Sequence, residues 1–222
     1  LLNNYNIVSI QLIIMNTATV FELAPALILF CFAASITPGP NNILLTHSGT
    51  HFGVIKTLPH LLGIRVGMTI MHLAMLLGLG KLFLIQPKLH FFLQLCASGY
   101  ILYLAYKIAS SSQLKGDNAQ ARPLNFFQGM LFQLINPKSY AVLMTLCTAL
   151  TLPGGAYWPS AILGVIIFNL VAACSGLFWV NFGKYMRQFL NKPNIFKRFN
   201  WVMSLFLAAS IPLVFLSNAS IQ

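Results

Sequence analysis

"ITPGPNNILL", residues 36–45, lies between two apolar runs and gathers two prolines, a glycine and two asparagines into ten positions. Proline deletes an amide donor and clashes with the preceding helical turn. Asparagine brings amide groups that hydrocarbon leaves unsatisfied. The rest of the chain nevertheless demands a membrane reading. Its 222 residues are 58% hydrophobic and 7% charged, whereas about a quarter of the residues of a soluble domain are charged. The stretch therefore predicts a membrane helix broken in mid-span.

Six apolar segments surround and follow it, near 22–45, 61–85, 89–108, 125–150, 157–182 and 199–218. Each has about 20 residues or more, enough to cross a hydrocarbon core. In lipid such segments must be helices, because each backbone group needs a partner within its own segment. The expected fold class is thus an all-α integral membrane protein with six transmembrane helices. Cations collect in the odd-numbered loops: Lys56 in the first, Lys107, Lys115 and Arg122 at the third, and Lys184, Arg187, Lys192, Lys197 and Arg198 in the fifth. Only Lys81 and Lys88 flank the second. The positive-inside rule then puts the odd loops in the cytoplasm and both termini outside it.

The polar stretch "SSSQLKGDNAQARP", 110–123, divides the six spans three and three. An odd number of spans per half forces opposite orientations, the arithmetic of an inverted repeat. Repeat 1 covers about 22–108, the linker 109–124 and repeat 2 about 125–218, within one transmembrane domain from 15 to 218. The chain opens on Leu1 and has no Lys or Arg before Met15, so residues 1–14 read as an upstream extension.

The second half has its own interruption. "LINPKSY", 134–140, breaks the fourth span as the opening stretch breaks the first. Thr37 is expected to cap a helix restarting at Pro38, and Asn136 one restarting at Pro137. Helix lengths from either face place both breaks at middle depth. The two restarting half-helices then aim their positive ends at one region, where exposed amides bind anions. This is how transporters hold a substrate carboxylate. The expected binding set is Thr37, Pro38, Gly39, Pro40, Asn41, Asn42, Asn136, Pro137 and Lys138. Lys138, a cation in mid-span, would pair with that carboxylate. Asn41 and Asn42 either bind a zwitterion or repair the broken backbone.

Other chemistries find little support. Glu22 and Asp117 are the only acids, at the start of the first span and in the linker, so paired-carboxylate catalysis is excluded. There is no metal-ligand cluster, P-loop or CxxC, and neither a metal nor a cofactor is expected. The net charge of +11 is read as topology and contact with anionic lipid, not nucleic acid. Cys31, Cys96, Cys147 and Cys174 all lie in apolar runs. A thiol–disulfide oxidoreductase using Cys31 and Cys147 is one rival reading, and a channel another. His72 in the second span is either a packing residue or a proton carrier. His47, His51 and His60 are expected to face solvent around the first loop. Arg65 either snorkels to the cytoplasmic face or neutralises a substrate. "GIRVG", 63–67, and the small face of Ala172 with "ACSG", 173–176, are packing surfaces, within a subunit or across a homodimer.

"TPGPNNILL" with "GVIKTLPHLLGIRVG", "YILYLAYKIA" and "FQLINPK" resembles the LysE/RhtB family of bacterial amino-acid exporters, over residues 16–218. The Asn-Asn pair and the third-span Lys-Ile-Ala-Ser are most similar to its cysteine/O-acetylserine branch. The resemblance implies a secondary carrier in the bacterial plasma membrane that expels amino acids or their derivatives, driven by the proton gradient. Many relatives carry Asp where this chain has Asn41, so a carboxylate proton relay is missing here.

Overall fold

The computed structural model describes residues 20–79, 87–110, 122–190, 192–209 and 211. Residues 1–19, including the expected upstream extension, and most of the 110–123 linker lie outside them. Every regular element among the described residues is helical. In chain order these are α1 (Ala24–Ile36), α2 (Pro40–Ala74), α3 (Pro87–Ala109), α4 (Phe126–Phe132), α5 (Pro137–Ala149), α6 (Tyr157–Met186) and α7 (Pro193–Ala208). A wide π turn extends α2 at its C-terminal end, and tight 3₁₀ turns extend α4 and α6.

Two stretches, Pro40–Gly78 and Gly154–Phe189, are long and apolar enough to cross a membrane by length and composition. The outer faces carry large apolar side chains in the open, among them Leu29, Phe32, Ile70, Leu102, Leu170 and Leu205. A soluble monomer rarely exposes so much contiguous apolar surface, whereas hydrocarbon accepts it.

Both breaks are present, with one correction. The helix after the first break restarts at Pro40, not Pro38, and Thr37 ends α1 instead of capping α2. The cause is local. A residue before proline is driven out of the helical region, and prolines at 38 and 40 drive out both Thr37 (ψ 139°) and Gly39 (φ −175°, ψ 176°). At the second break Asn136 is extended and α5 restarts at Pro137, as expected.

The region from 46 to 60 departs further from expectation. Its Thr, Ser and His residues suggest a polar loop, yet the chain stays helical on both sides of Gly53. Gly53 itself has φ 77° and ψ −178°, a conformation that glycine alone adopts readily. There α2 folds back on itself. Ser48 and Thr57 hydroxyls lie 2.8 Å apart, although a straight helix would separate them by about 13 Å. The hydroxyls that suggested a loop bond within the protein instead: Thr50 reaches the Thr46 and Gly183 carbonyls, and Thr57 the Gly53 carbonyl.

Small residues let the helices touch backbone to backbone. A Cβ at Gly49 would overlap the Val180 carbonyl, and one at Gly183 the Thr46 carbonyl, so the first arm of α2 lies hard against α6. Gly63 and Gly67 of "GIRVG" press on the Phe126 and Met130 backbone of α4. Gly176 meets Leu61, and Ser175 bonds the Ser35 carbonyl. Both small faces are thus used inside the chain. The core between them holds Leu27, Cys31, Leu45, Leu61, Ile64, Leu143, Leu146 and Phe168.

Gly63→Ala is expected to destabilise the detergent-solubilised protein by about 1–3 kcal/mol, because the new methyl meets backbone that cannot move aside. Gly99→Ala, with nothing within 4 Å, is the control. Thermal unfolding should separate the two; indistinguishable curves would mean that the α2–α4 approach is not tight.

Candidate functional site

The two breaks sit side by side. Lys138, the second residue of α5, lays its stem over Gly39, where a Cβ would come within 2.8 Å of its Cδ. Its ammonium donates to the Thr37 carbonyl and hydroxyl, both at 2.7 Å, and to the Pro38 carbonyl at 3.5 Å. All three ammonium protons are therefore committed to carbonyl and hydroxyl oxygens that the first break set free. The position also suits the charge, since the C-terminal end of α1 is the negative end of its dipole.

A second link uses neutral amides. Asn41 donates to Gln133 Oε1 at 2.8 Å, and Gln133 returns a bond to Asn41 Oδ1 at 3.1 Å. Gln133 also donates to the Gly129 carbonyl and accepts from Ser139. It is fully buried and fully satisfied. Asn42 turns back to the Ser35 and Thr37 carbonyls at 2.7 and 2.9 Å. Of the two roles open to these asparagines, Asn42 repairs the first break and Asn41 ties it to the second.

A pocket lies on the inner side of these links. Gly39, Asn41, Asn42, Asn136, Lys138 and Ser139 form its polar end, and Leu45, Leu61, Ile64, Met68, Val142 and Phe168 its apolar walls. Its free volume is about 50 Å³, room for roughly four waters. Thr37, Pro38, Pro40 and Pro137 do not line it. The three prolines border a separate cavity of about 200 Å³ beside Phe206.

The two half-helix starts are not equivalent. Asn136 caps α5 by accepting from the Lys138 amide at 3.2 Å. Gly39 offers α2 no side-chain cap, so the first amides of α2 are left for another acceptor.

Of the two readings open to Arg65, the structure favours the one away from the cytoplasmic face. Snorkelling to the cytoplasmic face was one reading, but the side chain lines the pocket. Its Nε and Nη1 are buried without a hydrogen-bond partner. The guanidinium carbon sits 5.3 Å from the Phe168 ring centroid, a cation–π contact that softens the burial without satisfying the donors. A signal was available: thirteen cations share two acids, so a cation inside a span has no carboxylate to claim.

The model of the LysE type translocator family matches residues 32–216. The chain belongs to this family. Proteins named cysteine/O-acetylserine efflux protein, from Escherichia coli strain K12, Escherichia coli O139:H28 and Shigella sonnei, are 34% identical over 127 residues. That region is 56% of this chain and 63% of each relative, so the match spans less than two thirds of the relatives' length. No solved structure matches the chain.

The remaining candidates of this translocator are distributed as follows. His72 does not line the pocket. It is buried seven residues beyond Arg65 on the same side of α2, edge-on to Phe168 at 6.2 Å. His60, expected at a solvent-facing loop, is fully buried against Gly129 with both ring nitrogens unpartnered. His47 and His51 are partly buried, their ring centroids 4.1 Å apart and the rings tilted by 34°. Cys31 is buried in the core and Cys147 only partly so, both as free thiols. The described residues hold no cluster of metal-ligating side chains.

Asn41→Ala and Gln133→Ala are expected to be non-additive in a double-mutant cycle on thermal stability, with a coupling of about 0.5–3 kcal/mol. Each single change strands a partner's buried amide. Simple additivity would show that the cross-link contributes nothing beyond its separate residues.

Proposed function

We propose that this chain is a secondary transporter, not an enzyme. It exports small neutral amino acids of the cysteine or O-acetylserine kind across the bacterial plasma membrane, coupled to protons. The family description supports transport, and the names of the relatives support the substrate class. The six spans work as two inverted repeats, with both termini outside the cytoplasm.

The observation that carries the reading is the unpartnered Arg65 guanidinium facing the uncapped start of α2 across one pocket. Together they form a carboxylate receptor: two guanidinium donors on one side, amides with a positive dipole end on the other. Lys138 adds field but no donor, because its protons are spent on Thr37 and Pro38. The substrate ammonium finds neutral oxygens on Asn136 and Ser139, and its small side chain the apolar wall at Leu45, Leu61 and Met68. With no acid in the pocket, a substrate with a second cation gains nothing, which disfavours lysine. Admission requires the narrow pocket to widen, and the amide link between Asn41 and Gln133 is the contact that can open without stranding a charge. His72 carries the proton, since it shares the Phe168 ring with Arg65 and a positive charge there repels the neighbouring guanidinium and shifts it against the ring.

The test is uptake of labelled cysteine, O-acetylserine, threonine, homoserine and lysine into inverted vesicles, with and without a proton gradient. Arg65→Gln should raise KM roughly tenfold to a hundredfold, the worth of a charged hydrogen bond at about 1.5–3 kcal/mol, with folding spared. Lys138→Ala should instead lower thermal stability. Wild-type KM in Arg65→Gln would remove Arg65 from the receptor. His72→Gln should abolish the response to the proton gradient while leaving substrate exchange; full gradient-driven uptake would remove His72.

A further inference from the structure

A second, larger cavity lies away from the breaks, at the end of the bundle where α2 folds back at Gly53. It has about 500 Å³ on the measure that gives 50 Å³ for the pocket between the breaks. His47, His51, Lys107 and Arg122 line it, with Tyr103 and Tyr106 beside them and Leu44, Leu104, Ile108 and Leu124 beneath.

Among the described residues its charge is one-sided. Lys107 lies within electrostatic reach of His47, and Arg187 within reach of His51. Glu22, the one acid among the described residues, stands before α1, at the opposite end of the path through α1 and the first arm of α2. The one other acid of the chain, Asp117, lies outside the described residues. Inside the cavity wall, His47 Nε2 is buried with no hydrogen-bond partner. His51 directs Nδ1 to the His47 carbonyl at 2.8 Å, which holds its ring in place. Four basic side chains thus surround one space, one of them with a buried, unanswered nitrogen.

We propose that this cavity binds the phosphate headgroup of an anionic phospholipid. A phosphodiester offers the oxygen that His47 Nε2 lacks and the negative charge that Lys107 and Arg122 attract, and basic pockets between membrane helices are where such headgroups bind. The surroundings favour a lipid over free phosphate. Tyr103 and Tyr106 are exposed on the outer face of α3, beside exposed Leu102. Tyrosine belongs at headgroup depth, and the apolar floor and outer face of α3 give acyl chains a continuous path. The loops at this end carry the chain's surplus of cations, the composition expected beside the anionic leaflet. The inference does not rest on the export reading.

Native mass spectrometry and lipid titration of the full chain in neutral detergent test it, with phosphatidylglycerol, phosphatidylcholine and inorganic phosphate as separate probes. Phosphatidylglycerol should be retained preferentially. The pair Lys107→Gln with Arg122→Gln should weaken it by roughly tenfold or more. Lys56→Gln with Lys192→Gln removes the same charge from exposed positions that do not line the cavity, and should leave binding unchanged. If the cavity pair fails to fold, Arg122→Gln alone, in the non-helical stretch before α4, should show a smaller loss. Equal losses in cavity and control variants would reduce the effect to general surface charge. Equal retention of phosphatidylcholine, or inorganic phosphate binding as tightly as the lipid, would overturn the proposal.

Discussion

Backbone groups released inside hydrocarbon must find partners, and each unmet group costs several kcal/mol. Two proline-broken helices in one small chain create that problem twice, and here each break answers the other. The carbonyls stranded at the end of α1 receive the Lys138 ammonium from the start of α5. The amide of Asn41, one residue into α2, pairs with Gln133 in the turn that ends α4. Each break satisfies groups that the other leaves open, so the two halves of the chain are held together at the breaks. The glycines at 39, 49, 63, 67, 129 and 183 serve the same end, since only bare backbone approaches closely enough for these short links.

Much of this architecture was legible in the residues. Apolar runs of membrane length, two Pro motifs at comparable places and a polar linker between them announce helices with paired interruptions. The shift of the restart from Pro38 to Pro40 was also derivable, because two prolines spaced by two exclude helix at both residues preceding them. The fold-back at Gly53 was less accessible. "THSGTHFG" reads as a polar loop by composition. Its hydroxyls become compatible with helix only once they bond to carbonyls one turn back and to Gly183 on α6, a helix more than a hundred residues further along the chain.

The fate of the charged groups was harder still. Lys138 stood out as a mid-span cation, whereas Arg65, near the expected end of a span, left two readings open. Position along a span says how deep a cation lies but not which acceptors surround it. Lys138 happens to face two freed carbonyls; Arg65 happens to face a cavity and an aromatic ring. Gln133 carried no signal at all, because an isolated glutamine in an apolar run acquires meaning only from the three partners that fill its amide.

A shortage of acids links these features. With two carboxylates for thirteen cations, the chain cannot neutralise its interior by salt bridges, and each inward-facing cation must settle its donors elsewhere. Backbone oxygens can do so where a helix is broken, which accounts for the donors of Lys138. Among the described residues, buried nitrogens of Arg65, lining the narrow pocket, and of His47, lining the cavity with Lys107 and Arg122, remain open. A buried open donor costs free energy in the empty protein, and an incoming anion recovers that cost as affinity. The same deficit therefore underlies both proposals: a small carboxylate for the narrow pocket at the breaks, and a bulky phosphate for the wide cavity at the cationic end.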